Sequence, residues 1–285
     1  MRILVHGGAG SVERKDEEMV LLGVRRSRDA GWRVLERGGS ALDAVVEAVR
    51  VLEDDPHFNA GTGAALNRQG FPEFDAAVMV GDGLRFGAVG AVRDVRNPVL
   101  LAREVMDSEH ILLVAEGASL FARERGIPAT PPEELISERA LRRWQRARRS
   151  SLGKSGTVGA VAVDRDGQLA AATSTGGILD KRVGRVGDTP LLGAGTYAEA
   201  GLGAASATGE GEYLARALVA YRAVAALDTL PPEEAAWRAL ELARRLGGQG
   251  GLILLAADGR FAAVHTAPQM SYAWRGPEGE GAALE

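Results

Sequence analysis

The sequence contains no cysteine, and this absence excludes several kinds of site. A chain without cysteine has no disulfide framework, thiolate nucleophile, iron–sulfur cluster or cysteine-ligated zinc. Histidine is scarce, and no two of the four histidines are three or four residues apart. The usual helical zinc-hydrolase motif is therefore absent. No Gly-x-Ser-x-Gly occurs either, which argues against the nucleophile elbow of α/β-hydrolases.

The chain also lacks an excess of one charge and a long apolar run. Its 34 basic and 38 acidic residues give a net charge of −4, which provides no field for nonspecific binding of nucleic acid or anionic membranes. No apolar run approaches about 18 residues, and residues 1–6 do not resemble a signal peptide. At 285 residues, 46% of them hydrophobic, the chain is long enough to bury a sizeable core. We expect a cytoplasmic globular protein that binds neither nucleic acid nor a membrane.

Both halves of the chain combine helical patterns with pairs of antiparallel strands. The predicted helices cover about 19–35, 40–52, a segment starting at 98, 210–227 and 233–246. The predicted strands cover 3–5, 74–80, 85–92, 158–163, 169–173, 252–256 and 261–265. This order favours a layered α+β fold, with helices outside sheets, over a doubly wound parallel sheet.

The segment from about 127 to 156 has the composition of a linker. It begins with several prolines and continues with six arginines between Arg139 and Arg149. Such a basic run could contact RNA, but Trp144 is the only aromatic residue among the arginines. We interpret the run as a solvated helix face and linker.

Two glycine-rich segments leave a nucleotide-binding interpretation open. Gly7 to Gly10 follow a strand but lack the Gly-Lys-Ser/Thr ending of a phosphate-binding loop. Gly193 to Ala198 match Gly-x-Gly-x-x-Ala, but the expected helix, strand and acidic residue do not follow. We interpret both segments as tight turns, with a small-molecule-binding module as the alternative.

Hydroxyl chemistry is the remaining option, and Thr157 is placed to supply it. It follows Gly156, at the end of the predicted linker and the start of a strand. A threonine at a chain N-terminus can use its own α-amine, of pKa about 7.7–8, as the base for its hydroxyl. Cleavage between Gly156 and Thr157 would create such a terminus. A Gly-Thr pair is also common in ordinary strands, so the pair alone leaves a structural role open.

A set of motifs spread over nearly the whole chain resembles the plant-type asparaginases and isoaspartyl peptidases, which are N-terminal-nucleophile (Ntn) hydrolases. The motifs occur in the order and at the spacing of that family. They are 6–10 (His-Gly-Gly-Ala-Gly), 58–63 (Phe-Asn-Ala-Gly-Thr-Gly), 97–98 (Asn-Pro), 156–162 (Gly-Thr-Val-Gly-Ala-Val-Ala), 173–177 (Thr-Ser-Thr-Gly-Gly), 184–190 (Gly-Arg-Val-Gly-Asp-Thr-Pro), 193–195 (Gly-Ala-Gly) and 208–212 (Thr-Gly-Glu-Gly-Glu).

The resemblance implies roles for particular residues in catalysis. Thr157 resembles the nucleophile released by autoproteolysis after Gly156, and Thr175 the second threonine that tunes it. Thr208 and Gly209 resemble the oxyanion hole. Asn59 resembles the asparagine that braces the site.

The resemblance also implies how substrate and metal are held. Arg185 would bind the substrate α-carboxylate and Asp188 its α-ammonium group, with Gly211 beside Thr208 and Gly209 in the binding site. No cofactor for catalysis is implied. A loop with the backbone carbonyls of a structural sodium site is expected at Leu52, Glu53, Asp55, Phe58, Ala60 and Thr62.

The fold implied by the resemblance is a four-layer αββα sandwich. Residues 1–156 would form an α-subunit ending in the 127–156 linker, and residues 157–285 a β-subunit. Together they would form one Ntn-hydrolase domain, with two such αβ units in a homodimer. The implied reaction is hydrolysis of L-asparagine and β-aspartyl peptides to L-aspartate. A glycosylasparaginase-like amidase and an unprocessed binding protein are the alternatives.

Overall fold

The computed structural model describes residues 1–148 and 156–285. Within these ranges the chain forms twelve strands and eight α-helices. The strands are β1 (Arg2–Gly10), β2 (Phe74–Val80), β3 (Arg85–Val92), β4 (Leu112–Val114), β5 (Val158–Val163), β6 (Leu169–Thr175), β7 (Thr196–Glu199), β8 (Gly203–Gly209), β9 (Gly250–Ala256), β10 (Phe261–His265), β11 (Gln269–Gly276) and β12 (Gly279–Leu284). The helices are α1 (Glu17–Glu36), α2 (Ala41–Glu53), α3 (Pro98–Met106), α4 (Ala115–Glu124), α5 (Glu138–Ala147), α6 (Gly211–Ala217), α7 (Val219–Ala226) and α8 (Pro232–Arg245).

The strands form two sheets. The larger sheet has the order β12-β11-β1-β5-β6-β2-β3-β4, and the smaller has the order β10-β9-β8-β7. Neighbouring strands are antiparallel except β3 and β4, which are parallel. Strand β5 lies in the middle of the larger sheet, between β1 and β6. Thr157, the residue immediately before β5, is buried.

Alternation along the strands divides the buried side chains into two cores. On β1, Ile3 and Val5 face the core beneath α1, α2 and α3, whereas Leu4 faces the second core. This is the period of two expected for a strand buried on both faces. The second core contains residues of the smaller sheet and of α6, α7 and α8. Contacts of β5 and β6 with β8 show that the two sheets pack on each other. The predicted mixture of helices and antiparallel sheets is confirmed.

Several predicted boundaries are confirmed because local signals determine them. The strands at 74–80, 85–92, 158–163 and 261–265 have the predicted bounds. Helix α2 begins after Ser40, whose hydroxyl accepts the Asp43 N–H (3.1 Å), as the capping pattern indicated. Helix α3 begins at Pro98, a favoured residue at the first helical position.

Other elements differ from the prediction. The helix predicted over 210–227 is two helices, because Leu218 adopts a left-handed conformation (φ 47°) that ends α6. Strand β8 was missed because its residues, Gly-Ala-Ala-Ser-Ala-Thr-Gly, lack the large side chains that mark strands. The Gly-x-Gly-x-x-Ala segment leads into β7 rather than a helix, so it lacks the helix N-terminus of a dinucleotide site.

The predicted linker is helical in part. Helix α5 carries Arg139, whose guanidinium forms a bidentate ion pair with Asp16 (3.1 and 2.6 Å). The end of the arginine run at Arg149 and the residues up to Ser155 lie outside the described residues. In the part of the chain that is described, no helix has the length and apolar character needed to cross a membrane.

Close packing of α1 generates a testable prediction. A Cβ on Gly31 would lie 2.3 Å from Ile3 Cδ1 and 2.7 Å from the Ala44 carbonyl oxygen. We expect Gly31→Ala to lower the free energy of unfolding by about 1–3 kcal/mol, because the core cannot take the added methyl group without moving. Urea unfolding measures this.

Gly117→Ala on α4 is the matched control. Nothing lies within 4 Å of a Cβ at that position. Alanine there is expected to raise the free energy of unfolding by about 0.5–1 kcal/mol through its helix propensity. Equal effects of the two substitutions would contradict the packing argument.

Candidate active site

Three threonines from both sheets meet at the start of β5. Thr157 is 4% exposed. Its backbone N–H donates to Thr208 Oγ1 (3.0 Å), and its hydroxyl donates to Thr175 Oγ1 (3.3 Å). Thr175 ends β6 beside it, and Thr208 comes from β8 in the opposite sheet. The structure brings together the predicted nucleophile, the second threonine predicted to tune it, and the threonine predicted for the oxyanion hole.

Hydrogen bonding at Thr208 leaves its hydroxyl proton available. Oγ1 accepts both the Thr157 N–H and the Ala9 N–H (3.1 Å). A hydroxyl has two lone pairs and one proton, so two accepted bonds leave the proton free to donate. Thr208 can therefore offer a donor to a developing oxyanion while it holds the Thr157 nitrogen.

Glycines allow backbone segments to approach the Gly156–Thr157 junction closely. Gly8 has φ 116°, and a Cβ on Gly156 would lie 2.8 Å from Gly8 Cα. Gly209, the other predicted oxyanion donor, has φ 140°, and a Cβ there would lie 2.4 Å from Gly250 Cα. Side chains at these positions would push the junction or the end of β8 out of place.

Asn59 braces the turn that follows Thr175. Its side-chain Nδ2 donates to the Gly177 carbonyl oxygen (2.7 Å), and its backbone carbonyl oxygen accepts the Gly176 N–H (2.9 Å). Its Oδ1 accepts the Ala65 N–H (2.7 Å). Gly177 N–H in turn donates to Thr175 Oγ1 (2.9 Å). Asn59 thus fixes Thr175 through the backbone and does not bond to Thr157.

Arg185, Asp188 and Gly211 also come together, as predicted. A Cβ on Gly211 would lie 2.7 Å from Asp188 Oδ1 and 2.8 Å from Arg185 Nη2. The Arg185 guanidinium makes a bidentate pair with Glu212 (2.9 Å for both bonds). This pairing was not predicted, although Glu212 belongs to the motif that starts at Thr208. The Glu212 carboxylate thus accepts from the two guanidinium N–H groups that were predicted to bind the substrate α-carboxylate.

One glycine connects this charged group to the threonines. Gly177 donates its N–H to Thr175 Oγ1, and a Cβ on Gly177 would lie 3.2 Å from Arg185 Nη1. The guanidinium therefore lies against the turn that holds Thr175. The two groups of predicted site residues form one site.

The carboxyl group of Asp188 is buried and incompletely paired. Asp188 is 3% exposed, and its Oδ2 has no hydrogen-bond partner among the described residues. Burial raises the pKa of Asp188 to about 7, although Arg185 opposes the shift. A carboxyl group in this state gains from a cationic partner, which restores its charged form. This suits an amino group of a ligand.

The loop predicted to hold sodium contains closely packed carbonyls. A Cβ on Gly61 would lie 2.3 Å from the Glu53 carbonyl oxygen, and one on Gly63 would lie 2.0 Å from that of Phe58. Carbonyl oxygens are ligands for hard cations such as sodium. Across residues 1–148 and 156–285, no cluster of three or more His, Cys, Asp or Glu side chains could hold a metal. Any cation bound in this loop would therefore be held by carbonyl oxygens rather than by a cluster of side chains.

The Glu53 side chain points into the core instead of the loop. It is fully buried, and its Oε1 accepts the Val99 N–H in the first turn of α3 (3.0 Å). Burial raises the pKa of Glu53 to about 8, although hydrogen bonds to the carboxyl group oppose the shift. The side chain is thus protonated near neutral pH.

A buried chain of polar groups between the sheets was missed by the sequence analysis. His6 Nε2 bonds to Ser206 Oγ (2.8 Å), which bonds to Thr173 Oγ1 (2.8 Å). Thr196 Oγ1 donates to Thr173 (2.7 Å) and contacts the Thr189 carbonyl oxygen (3.2 Å). Burial lowers the pKa of His6 to about 3, so the imidazole is neutral. Isolated hydroxyls within small-residue strands were the only signal of this network.

Comparisons with known proteins agree with the geometry. The profile of the asparaginase family matches residues 1–284. A Danio rerio protein named isoaspartyl peptidase/L-asparaginase is 46% identical over 281 residues, covering 95% of this chain and 91% of the relative. A Homo sapiens protein of the same name is 44% identical over 282 residues, with 95% and 92% covered. An Escherichia coli isoaspartyl peptidase is 43% identical over 294 residues, again with 95% and 92% covered.

The buried Glu53 carboxyl group generates a prediction about pH and stability. Its pKa lies above the ordinary value of 4.5, so the folded state retains a proton that the unfolded state releases. This contribution to stability is complete below about pH 4.5 and is lost as pH rises through about 8. Glutamine has no proton to release in this range. The unfolding free energy of Glu53→Gln minus that of the parent chain should therefore increase by more than about 1 kcal/mol from pH 5 to pH 8.

Urea unfolding at both pH values measures the difference. Glu124→Gln, an exposed substitution on α4, controls for the loss of a carboxyl group. A difference between Glu53→Gln and the parent chain that is constant with pH would show that Glu53 titrates normally in the fold.

Proposed function

This chain belongs to the asparaginase family, and from that membership we infer that it is a hydrolase acting on the side-chain amide of L-asparagine and of β-aspartyl peptides. The observation that carries the inference is the environment of Thr157. Its hydroxyl donates to Thr175 and its backbone N–H donates to Thr208. Once the bond to Gly156 is cleaved, this nitrogen would be an α-amine, and one residue would supply both a nucleophile and a base.

We propose that catalysis proceeds through an acyl-enzyme. Thr157 Oγ1 attacks the β-carbonyl carbon of the substrate, and the free α-amine of Thr157 takes the hydroxyl proton. The oxyanion accepts hydrogen bonds from the Thr208 hydroxyl and the Gly209 N–H, each worth about 3 kcal/mol. The leaving group takes the proton and departs as ammonia or as the amine of a peptide. Water then attacks the ester and releases L-aspartate.

The α-amine must first be released by cleavage between Gly156 and Thr157. We propose that the Thr157 hydroxyl attacks the Gly156 carbonyl carbon, and that water hydrolyses the resulting ester. The close approach of Gly8 to Gly156 supports this, because it confines the junction beside Thr208. Cleavage would leave an α-subunit of residues 1–156 and a β-subunit of residues 157–285.

The two subunits are proposed to remain one domain with the αββα sandwich of the Ntn hydrolases. Packing of helices on the larger sheet, and of the two sheets on each other, supports this. Association of two αβ units into a homodimer is proposed from the family resemblance alone. Location in the cytoplasm stays a prediction from the sequence.

Arg185 and Asp188 are proposed to bind the α-groups of the aspartyl unit. Arg185 presents a planar pair of donors that matches a carboxylate, and Glu212 already uses them in that geometry. A bound substrate carboxylate would replace Glu212 in at least one of these two hydrogen bonds. The buried carboxyl group of Asp188 would gain an ammonium partner. Arg185 would recognise a free α-carboxylate and Asp188 a free α-ammonium group. Substrates in which either group is blocked are therefore not expected to bind.

A sodium ion is proposed to stabilise the loop from Leu52 to Thr62. The packed carbonyls of Glu53 and Phe58 support it, and the Leu52, Asp55, Ala60 and Thr62 carbonyls would complete the ligands. The same loop contains Asn59, which positions Thr175 through its hydrogen bond to Gly177. The ion would therefore act by fixing the loop rather than by contacting the substrate.

Thr157→Ala tests both cleavage and catalysis. Dividing 29.9 kDa in proportion to 156 and 129 residues predicts fragments of about 16 and 14 kDa for the parent protein. The variant should remain at full mass and release no ammonia from L-asparagine, because the attacking hydroxyl is gone. Intact mass and an ammonia assay measure the two results.

Thr229→Ala, at an exposed threonine that follows α7 and belongs to none of the site motifs, is the control and should cleave and react normally. Cleavage of the Thr157→Ala chain, or turnover by the uncleaved protein, would refute the role of Thr157.

Arg185→Ala tests recognition of the α-carboxylate. We expect kcat/KM for L-asparagine to fall roughly 100-fold, because a bidentate charge-assisted contact is lost in a mostly buried position. Self-cleavage should persist, since Arg185 does not bond to Thr157. Arg182→Ala, an exposed arginine of the same segment, should leave kcat/KM close to that of the parent protein. An unchanged value in Arg185→Ala would remove this residue from the substrate site.

A further inference from the structure

A buried aspartate behind the site bonds to the segment that carries Arg185 and Asp188. Asp75 lies on β2 and is completely buried. Its Oδ2 accepts the Gly187 N–H (3.0 Å), and its Oδ1 accepts the Ala91 N–H (2.9 Å). Each carboxylate oxygen therefore has a backbone donor, the arrangement that makes a buried carboxylate tolerable.

Gly187 lies between the two groups that are proposed to bind substrate. It is two residues after Arg185 and immediately before Asp188. A Cβ on Gly187 would lie 2.8 Å from Arg185 Nη1, so the guanidinium folds back over the bonded peptide group. Holding the Gly187 N–H thus fixes the backbone from which both side chains project.

The position of Asp75 in the sheet connects this segment to the nucleophile. Asp75 lies opposite Thr175 in the ladder between β2 and β6. The register of β2 with β3 shifts between Phe74 and Ala76, and Ala91 on β3 has φ 51°. The bulge sets Gly90 and Ala91 of β3 against the single residue Asp75, and the extra residue of a bulge is left out of the ladder of backbone hydrogen bonds. The carboxylate then satisfies the Ala91 N–H as well as Gly187.

Charged groups around Asp75 connect it electrostatically to the site. Lys181 and Arg185 attract its carboxylate, whereas burial raises the pKa of Asp75. Lys181 is itself buried, and its ammonium group donates to the Glu73 carbonyl oxygen (2.6 Å). The negative charge of Asp75, together with that of Glu212, contributes to the raised pKa of Asp188. Removing the charge would lower the pKa of Asp188.

We propose that Asp75 is a positioning residue that sets the spacing of Arg185 and Asp188 by holding the Gly187 N–H, and thereby sets the affinity for substrates with free α-groups. This inference rests on the proposed function. The Asp75 carboxylate bonds to the Ala91 and Gly187 N–H groups and not to the Thr157 hydroxyl, so its role would be in substrate binding rather than in the attack by Thr157.

Asp75→Asn is the test, made in the full chain after self-cleavage. An amide has one acceptor oxygen, so one of the two backbone N–H groups faces an NH2 group instead. KM for L-asparagine should rise about tenfold while kcat changes less than about twofold, since the threonines keep their contacts. The acidic limb of the kcat/KM profile should move to lower pH, because Asp188 loses a negative neighbour.

Asp164→Asn is the matched control. Asp164 is also buried, and its carboxylate accepts the N–H groups of Ala41 (2.9 Å), Asp166 (3.0 Å) and Gln168 (3.0 Å), none of which belongs to the site. It should lower the melting temperature without changing KM or the pH profile. If Asp75→Asn shows only that loss of stability, or an unchanged KM, the proposal is overturned.

Asp75→Ser provides a second variant, whose smaller side chain avoids the contact of an NH2 group with an N–H. It should show the same rise in KM, and self-cleavage reports that each variant has folded. Failure of the proposed function looks different, because the parent protein itself would then release no ammonia from L-asparagine.

Discussion

The hydroxyl of Thr208 holds together the two halves of the site. It accepts the N–H groups of Ala9, on β1 of the larger sheet, and of Thr157, immediately before β5 of the same sheet. Its own strand lies in the smaller sheet. The proposed nucleophile, the glycine-rich end of β1 and one of the two proposed oxyanion donors therefore meet at one atom, Thr208 Oγ1. The segment from Gly7 to Gly10 was predicted as a tight turn, but it belongs to strand β1. Any shift between the sheets would lengthen these bonds together, so the packing of two all-buried strand faces determines the geometry of the chemistry.

Buried charge is the second constraint, and it is concentrated on the substrate side. Asp188 is buried without a full set of partners, which destabilises its charged form. A cationic ligand would stabilise the charged form of this buried carboxyl group. The proposed site therefore favours ligands that carry an ammonium group. Arg185 is balanced by Glu212, and Asp75 by backbone donors and Lys181. Within the proposed substrate site, Asp188 is thus the carboxyl group with an oxygen that has no hydrogen-bond partner among the described residues.

Much of the fold was predictable because local signals are strong where strands alternate and helices are capped. Strands β2, β3 and β5 and the start of α2 follow from such signals. Strand β8 did not, because its small residues carry no periodic pattern, although it supplies Thr208 and Ser206. The break at Leu218 was also hidden, since a left-handed leucine depends on tertiary packing rather than on its own preference.

The sequence by itself determined the chemistry that is possible: no thiol, no pair of histidines at helical spacing, and a threonine after a glycine within a set of ordered motifs. Those properties depend on residue types and spacing along the chain. Only the tertiary structure decided which groups meet. The partners of Thr157, the pairing of Arg185 with Glu212, and the reach of Asp75 to Gly187 join residues 18 to 112 positions apart. Such contacts arise from the packing of two sheets, and no local pattern in the sequence records them.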